Sequence, residues 1–245
     1  MPEPTPLLRL TTSWDDGHPL DRRVAAELAR RGLRGTFYVP RHNVEGRPVM
    51  TAADIRALAA EGFELAAHTS DHVRLPGLSR DAAQRQIEEG RHWLEDVLGA
   101  PVRGFAYPGG HPGPWGRVLA REAGFAYART TRMLCLGPGS DPFAMGTTAQ
   151  IFHHGLPALL RNWLRHGGGA NRLAVLTDLR SGGRLPAAMA ALFLRACRQG
   201  GVLHLWGHSW EIEERGLWAA FDDIMAMVAD LVPAAGRVTN EGITR

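Results

Sequence analysis

Only two cysteines, Cys135 and Cys197, occur in 245 residues, and they form neither a C-x-x-C pair nor a framework spacing. Nothing in the sequence therefore calls for a disulfide scaffold. No stretch approaches 18 consecutive apolar residues, so no membrane-spanning helix is expected. The opening MPEPTPLLRLTTSWDDG has no basic region followed by a long apolar run, so the expectation is a cytoplasmic protein without a signal peptide. No G-x-G-x-x-G or G-x-x-x-x-G-K-[ST] follows an expected strand, which argues against dinucleotide and P-loop enzymes. Runs of basic residues interleaved with aromatics are missing too. Arginines fall singly or in pairs such as Arg22-Arg23 and Arg30-Arg31, so the formal charge of +3 describes a solvated surface rather than a nucleic-acid face.

What is there is an ordinary globular balance, 44% apolar and 22% charged, in a chain long enough to bury a sizeable core. Short apolar runs alternate with amphipathic helices. Strands are expected over Leu7–Ser13, Thr36–Val39, Phe63–Ala67, Val102–Ala106, Phe125–Arg129 and Val202–Trp206. A helix carrying Leu20, Val24 and Leu28 closes at Gly32, and Thr51 with Asp54 gives a capping-box signal for the next. Further helices are expected over Arg80–Leu98, Pro114–Glu122, Pro157–Arg165, Pro186–Arg198 and Leu217–Leu231, with a long loop from Thr130 to Gln150. Alternation of this kind implies a parallel sheet. Six or seven units without a composition break favour one α/β domain over residues 1–245, a closed or nearly closed barrel, with a doubly wound open sheet as the alternative.

Three motifs fall where expected strands end, which is where sites form in such folds. Asp15-Asp16-Gly17 offers two carboxylates that point to opposite sides and can take separate tasks, although the same residues fit a helix cap with an Asp-Gly turn. His68-Thr69-Ser70-Asp71-His72 places two imidazoles four apart, within reach of one ion. Two histidines and one carboxylate leave coordination positions open, as a catalytic cation requires. Arg103-Gly104-Phe105-Ala106-Tyr107-Pro108-Gly109-Gly110 brings a tight turn, and the Tyr107 N–H is expected to point into the site as an oxyanion donor. A fourth segment, His204 to Glu211, offers His204 or His208 as a proton donor among tryptophans able to pack on a sugar ring, with His208 nearer the strand exit.

In this order the motifs resemble the polysaccharide deacetylase family, the NodB-type domain of carbohydrate esterase family 4. The resemblance runs from about Thr11 to Glu211. It implies a distorted (β/α)7 barrel and a hydrolase that removes N-acetyl groups from a carbohydrate. It further implies that Asp16, His68 and His72 bind a divalent cation, zinc first, with cobalt, manganese and nickel as alternatives. Asp15 would be the general base that deprotonates the attacking water, Arg103 would orient Asp15, and the Tyr107 N–H would help hold the oxyanion. His208 would protonate the departing amine. The family's D-x-x-D-W motif, which tunes that acid, is absent between Phe125 and Gly201. His153 and His154 are candidate substrate contacts.

Three other readings share parts of this pattern. A deformylase or cyclic-imide hydrolase, sometimes metal-free, fits the same fold, but the presence of all three ligands counts against the metal-free branch. A non-haem iron oxygenase shares the two-histidine, one-carboxylate set but usually carries it as H-x-[DE] on a β-sandwich. An inactive carbohydrate-binding relative would not need a complete set of ligands and base.

Overall fold

The computed structural model describes residues 8–181 and 184–244. Leu7, the first residue of the first expected strand, lies outside them. Seven strands form one sheet in the order β5-β4-β3-β2-β1-β7-β6, and every pairing is parallel. They are β1 (Arg9–Trp14), β2 (Gly35–Val39), β3 (Glu64–Ala67), β4 (Gly104–Ala106), β5 (Tyr127–Arg129), β6 (Ala149–Gln150) and β7 (Val202–Gly207).

The sheet curls almost into a barrel. Ala149 and Gln150 pair with β7, while Met145, four residues earlier, exchanges hydrogen bonds with the far edge: its N–H donates to the Ala128 carbonyl at 3.0 Å and its carbonyl accepts from Thr130. The Met145–Gln150 segment thus spans the gap between β5 and β7. The expected loop over residues 130–150 accordingly contains a strand, and the barrel expectation holds over the open doubly wound sheet.

Side-chain alternation along each strand sorts the residues into two layers. Leu10, Trp14, Phe37, Val39, Leu65, Phe105, Leu203 and Leu205 join the large core under the helices. Alternate positions face the barrel interior, where Tyr38, Ala66, Ala106, Tyr127 and Val202 form a smaller cluster. That interior is also polar and fully wired at its lower end. Glu64 accepts from the Tyr127 hydroxyl at 2.6 Å and from Thr36 at 2.8 Å, and Asn240 donates to Tyr38 at 2.8 Å, so the C-terminal segment plugs the bottom. The top stays open.

Helices α1 (Asp21–Arg30), α2 (Ala52–Ala60), α3 (Arg80–Leu98), α4 (Gly116–Glu122), α5 (Leu156–Arg165), α6 (Ala170–Ser181), α7 (Leu185–Gln199), α8 (Ser209–Glu214) and α9 (Trp218–Leu231) pack outside. The Thr51/Asp54 capping box forms in both directions, and Gly32 takes φ +62° just past α1. Trp14 meets Phe221 of α9 edge-on at 5.5 Å between centroids, locking the central strand to the closing helix. Among the described residues no helix is long and apolar enough to cross a membrane.

Candidate active site

All the site residues lie at carboxyl ends of strands. Asp15 and Asp16 follow β1, His68 follows β3, Arg129 ends β5, Gln150 ends β6 and His208 follows β7. All of these but the buried Arg129 line a cavity of about 390 Å³ that also receives Glu45, Arg74, Asn162, Trp206 and Trp210 at its walls and rim.

Asp16, His68 and His72 converge. Asp16 Oδ1 lies 3.0 Å from His72 Nε2 and 3.7 Å from His68 Nε2, and the three ligand atoms fall within 4.8 Å of one another. The surroundings prepare them as ligands. The Ala106 carbonyl accepts from His68 Nδ1 at 2.8 Å, which fixes the tautomer and leaves the Nε2 lone pair facing the cluster. Trp210 donates its indole N–H to Asp16 Oδ2 at 2.8 Å, so Oδ1 remains for the cluster. Burial alone would raise the Asp16 carboxyl, but hydrogen bonds from His68 and His72 and the charge of His208 hold it well below the usual carboxylate range. The donor set fits a small divalent cation.

The backbone is bent to make this possible. Asp16, Thr69 and His72 all have left-handed φ (76°, 64° and 56°), a conformation that costs non-glycine residues of the order of 1 kcal/mol each and clusters at functional sites. Gly17, at φ +58°, completes the first bend; a Cβ there would stand 2.7 Å from Val39 Cγ1. The histidine loop is clamped to α3. Ser70 N–H donates to the Gln86 carbonyl at 2.8 Å, and the Gln86 amide bridges both the N–H and the carboxylate of Asp71. Gly90 permits this approach, because a Cβ there would sit 2.6 Å from the Thr69 carbonyl carbon. In a free helix Gly→Ala gains about 1 kcal/mol. Here Gly90→Ala is expected to lower both melting temperature and cation affinity, checked by thermal denaturation and metal titration; a raised melting temperature with intact affinity would refute the clamp.

Asp15, on the interior face, is gripped by the buried guanidinium of Arg129, whose Nη2 donates to both carboxylate oxygens. The guanidinium lies between Tyr38 and Trp206, 5.0 and 5.1 Å from their ring centroids. This corrects the sequence-based assignment of Arg103. That residue precedes β4, so it emerges at the amino end of the barrel, where it is 56% exposed and 3.8 Å from Glu241. Tyr107 also departs from expectation. Its N–H continues the β4–β5 ladder by donating to the Arg129 carbonyl at 3.2 Å, and its hydroxyl donates to Phe143 O, so neither group lines the cavity.

Of His204 within β7 and His208 just after it, only His208 reaches the cavity. His204 is buried inside the strand layer against Ser13 Oγ at 2.8 Å, and burial with the nearby Arg129 charge pushes it down to about 3. His208 Nδ1 instead lies 3.2 Å from Glu211 Oε2, and its ring packs between Trp206 and Trp210. Burial would lower this imidazole; the hydrogen bond it donates to Glu211, with the charges of Asp16 and Asp15, outweighs that and raises His208 to about 9. Glu211 is held in turn by the Gln150 amide at 2.7 Å, and His154 Nε2 meets the Gln150 carbonyl oxygen at 2.8 Å. The carboxylate beside His208 thus comes from three residues further along the chain, not from a D-x-x-D-W motif. His153 is exposed and lines a neighbouring apolar hollow rather than the site.

A raised imidazole pKa stabilises the fold below the unfolded value near 6.5, and that contribution is lost as pH rises through about 9. In cation-free protein the His208 ring proton is expected to titrate near 9 by NMR, and in Glu211→Gln at least a unit lower. An unchanged midpoint would remove Glu211 from this role.

The model of the polysaccharide deacetylase family matches residues 4–128, about half of the chain, and spans both the Asp-Asp-Gly and the two-histidine motifs. The chain belongs to the polysaccharide deacetylase family. A putative polysaccharide deacetylase of Bacillus subtilis, YxkH, is 20% identical over 120 residues, 49% of this chain and 43% of the relative, so this chain spans less than half of that protein's length. Among solved structures, a family 4 acetyl xylan esterase from Clostridium thermocellum in complex with a cobalt ion superposes with a TM-score of 0.53 at 16% identity, covering 94% of this chain and 97% of that one. A mutant, with restored enzymatic activity, of a CE4 family pseudoenzyme from Bacillus anthracis gives 0.57 at 14% identity, covering 99% and 69%. At these identities the two structures share the fold with this deacetylase-family chain.

Proposed function

We propose that this protein is a metal-dependent hydrolase that removes N-acetyl groups from an acetamido sugar of a poly- or oligosaccharide, releasing acetate and a free amine. The observation that carries this reading is the placement of two differently prepared carboxylates and an imidazole acid around one open cavity. Asp16 completes a three-ligand set with His68 and His72, Asp15 is held apart by Arg129, and His208 carries its own carboxylate.

Each residue has a separable task. Asp16, His68 and His72 hold a divalent cation, which when bound lowers the pKa of a coordinated water to about 7 and polarises an amide carbonyl. Asp15 accepts a proton from the attacking water; Arg129 fixes its orientation. His208, protonated at neutral pH, donates to the nitrogen as the C–N bond breaks, a task its raised pKa suits. Trp206 and Trp210 flank it at the cavity wall and hold its ring in place.

Acetate release from a panel of N-acetylated, N-formylated and O-acetylated sugars tests the assignment. The expected result is turnover on N-acetyl sugars, with kcat/KM on the other two classes at least ~10-fold lower. Preference for a formyl group or an ester would overturn it. The ligand set has its own test: wild-type protein is expected to bind one divalent ion per chain by elemental analysis, and Asp16→Ala and His68→Ala to lose it. Undiminished metal in both variants would remove these residues as ligands.

A further inference from the structure

A second hollow adjoins the catalytic cavity. It measures about 250 Å³, and His111, Arg117, Arg132 and His166 line it without a single carboxylate. Gly110 and Thr130 belong to its lining, while their neighbours Gly109 and Thr131 line the catalytic cavity, so one thin wall of chain separates the two. Two more arginines stand at this junction. Arg74 lies over Gly109, its Nε 3.2 Å from where a Cβ would be, and also lines the catalytic cavity. Arg165, the last residue of α5, donates to His111 Nε2 at 3.2 Å.

This positive charge is poorly compensated. Arg117 has a carboxylate at 3.3 Å in Asp141, whereas the buried Nε of Arg132 has no hydrogen-bond partner. Both histidines feel the field. Burial, then Arg165 and Arg74, lower His111; burial, then Arg172, Arg132 and other cations, push His166 down to about 4. Arg172 itself is spent on structure, donating to the carbonyls of Met133, Trp163, His166, Gly168 and Asn162. Arg117 and Arg132 line the hollow itself.

We propose that this hollow is a subsite for an anionic group, a phosphate or a carboxylate, carried by the acetamido sugar or by the unit next to it. Guanidinium groups pair with both anions through charge-assisted, often bidentate hydrogen bonds. Because the hollow shares a wall with the catalytic cavity, a substrate reacting beside His208 extends naturally over Gly109 and Gly110 into it. The inference rests on the deacetylase reading for the identity of the sugar, but the charge arrangement stands without it.

Calorimetric titration of the full-length, zinc-loaded protein with three probes provides the test: N-acetylglucosamine, N-acetylglucosamine 1-phosphate and N-acetylmuramic acid. The anionic probes are expected to bind at least ~10-fold more tightly than the neutral one, with the advantage shrinking as salt rises. The anion with the larger gain identifies the group the subsite takes. In Arg74→Gln and Arg165→Gln, both at exposed positions, the advantage is expected to fall; Arg132→Gln, checked for folding by its melting temperature, is expected to abolish most of it. Equal affinity for neutral and anionic probes, or an advantage that survives all three substitutions, overturns the subsite. Binding needs no turnover, so the two readings separate. Anion preference without acetate release sinks the deacetylase assignment alone, and acetate release without anion preference sinks the subsite alone.

Discussion

Arg129→Met is expected to cost the folded state about 3–5 kcal/mol, the penalty for leaving a buried charge without its partner. For a domain of this size that is a fall in melting temperature of roughly 10 °C. The reason is local. Asp15 and Arg129 are almost wholly shielded from solvent, at 6% and 1% side-chain exposure, and in the variant the Asp15 carboxylate keeps only weaker neighbours. Turnover is expected to collapse along with stability, since the base loses its orientation. Arg103→Ala provides the control. Its side chain is 56% exposed at the opposite end of the barrel, so stability is expected to change by less than about 0.5 kcal/mol and activity not at all. Thermal melts and kcat/KM for both variants decide the matter, and the reverse pattern would restore Arg103 as the partner of Asp15.

Asp15→Asn carries the second large effect. The cation ligands are untouched, so bound metal is expected to stay at one per chain while kcat falls about 10²–10⁴-fold, the usual contribution of a positioned base. The amide also leaves Arg129 without a counter-charge, so the variant is expected to melt below wild type. Combining Asp15→Asn with Arg129→Met removes both charges together and is expected to recover part of that stability without recovering turnover. This non-additivity in stability, set against the persistent loss of rate, distinguishes a base held by a buried arginine from a merely structural ion pair. Full activity in the single variant would take Asp15 out of the reaction.

The parts of this molecule that could be read from sequence are those set by local chemistry. The β1, β2 and β3 runs, the Thr51/Asp54 cap and Gly32 each declare themselves within a few residues, and so do Asp15-Asp16-Gly17 and His68 to His72. Strand β6 does not. Ala149 and Gln150 are a strand because β7 lies alongside and Met145 reaches β5, and nothing in the Gly-, Pro- and Ser-rich stretch around them announces that pairing. Helix α6 was hidden for another reason: Val175 and Leu176 are buried while Leu173 is 42% exposed, so its apolar residues trace no single stripe.

Arg103 illustrates the limit most clearly. Both Arg103 and Arg129 fall within expected strands, but one lies near an amino end and the other at a carboxyl end, roughly a strand length apart at about 3.3 Å per residue. Ion-pair partners 114 residues apart in sequence are chosen by barrel closure, not by a motif. One signal was available: an arginine ending an otherwise apolar strand, at the end where sites form, needs a buried anion. Glu211 offered a similar clue, three residues beyond His208 and hence on the same side of the first turn of α8.

The most direct measurement of the whole account is acetate release from N-acetylglucosamine oligomers before and after the protein is stripped with a chelator and resupplied with zinc. Release is predicted to stop on stripping, to return in proportion to zinc up to one ion per chain, and never to return in Asp16→Ala. Undiminished release from thoroughly stripped protein, or full recovery in Asp16→Ala, would contradict the claim that these three side chains hold the reaction's cation.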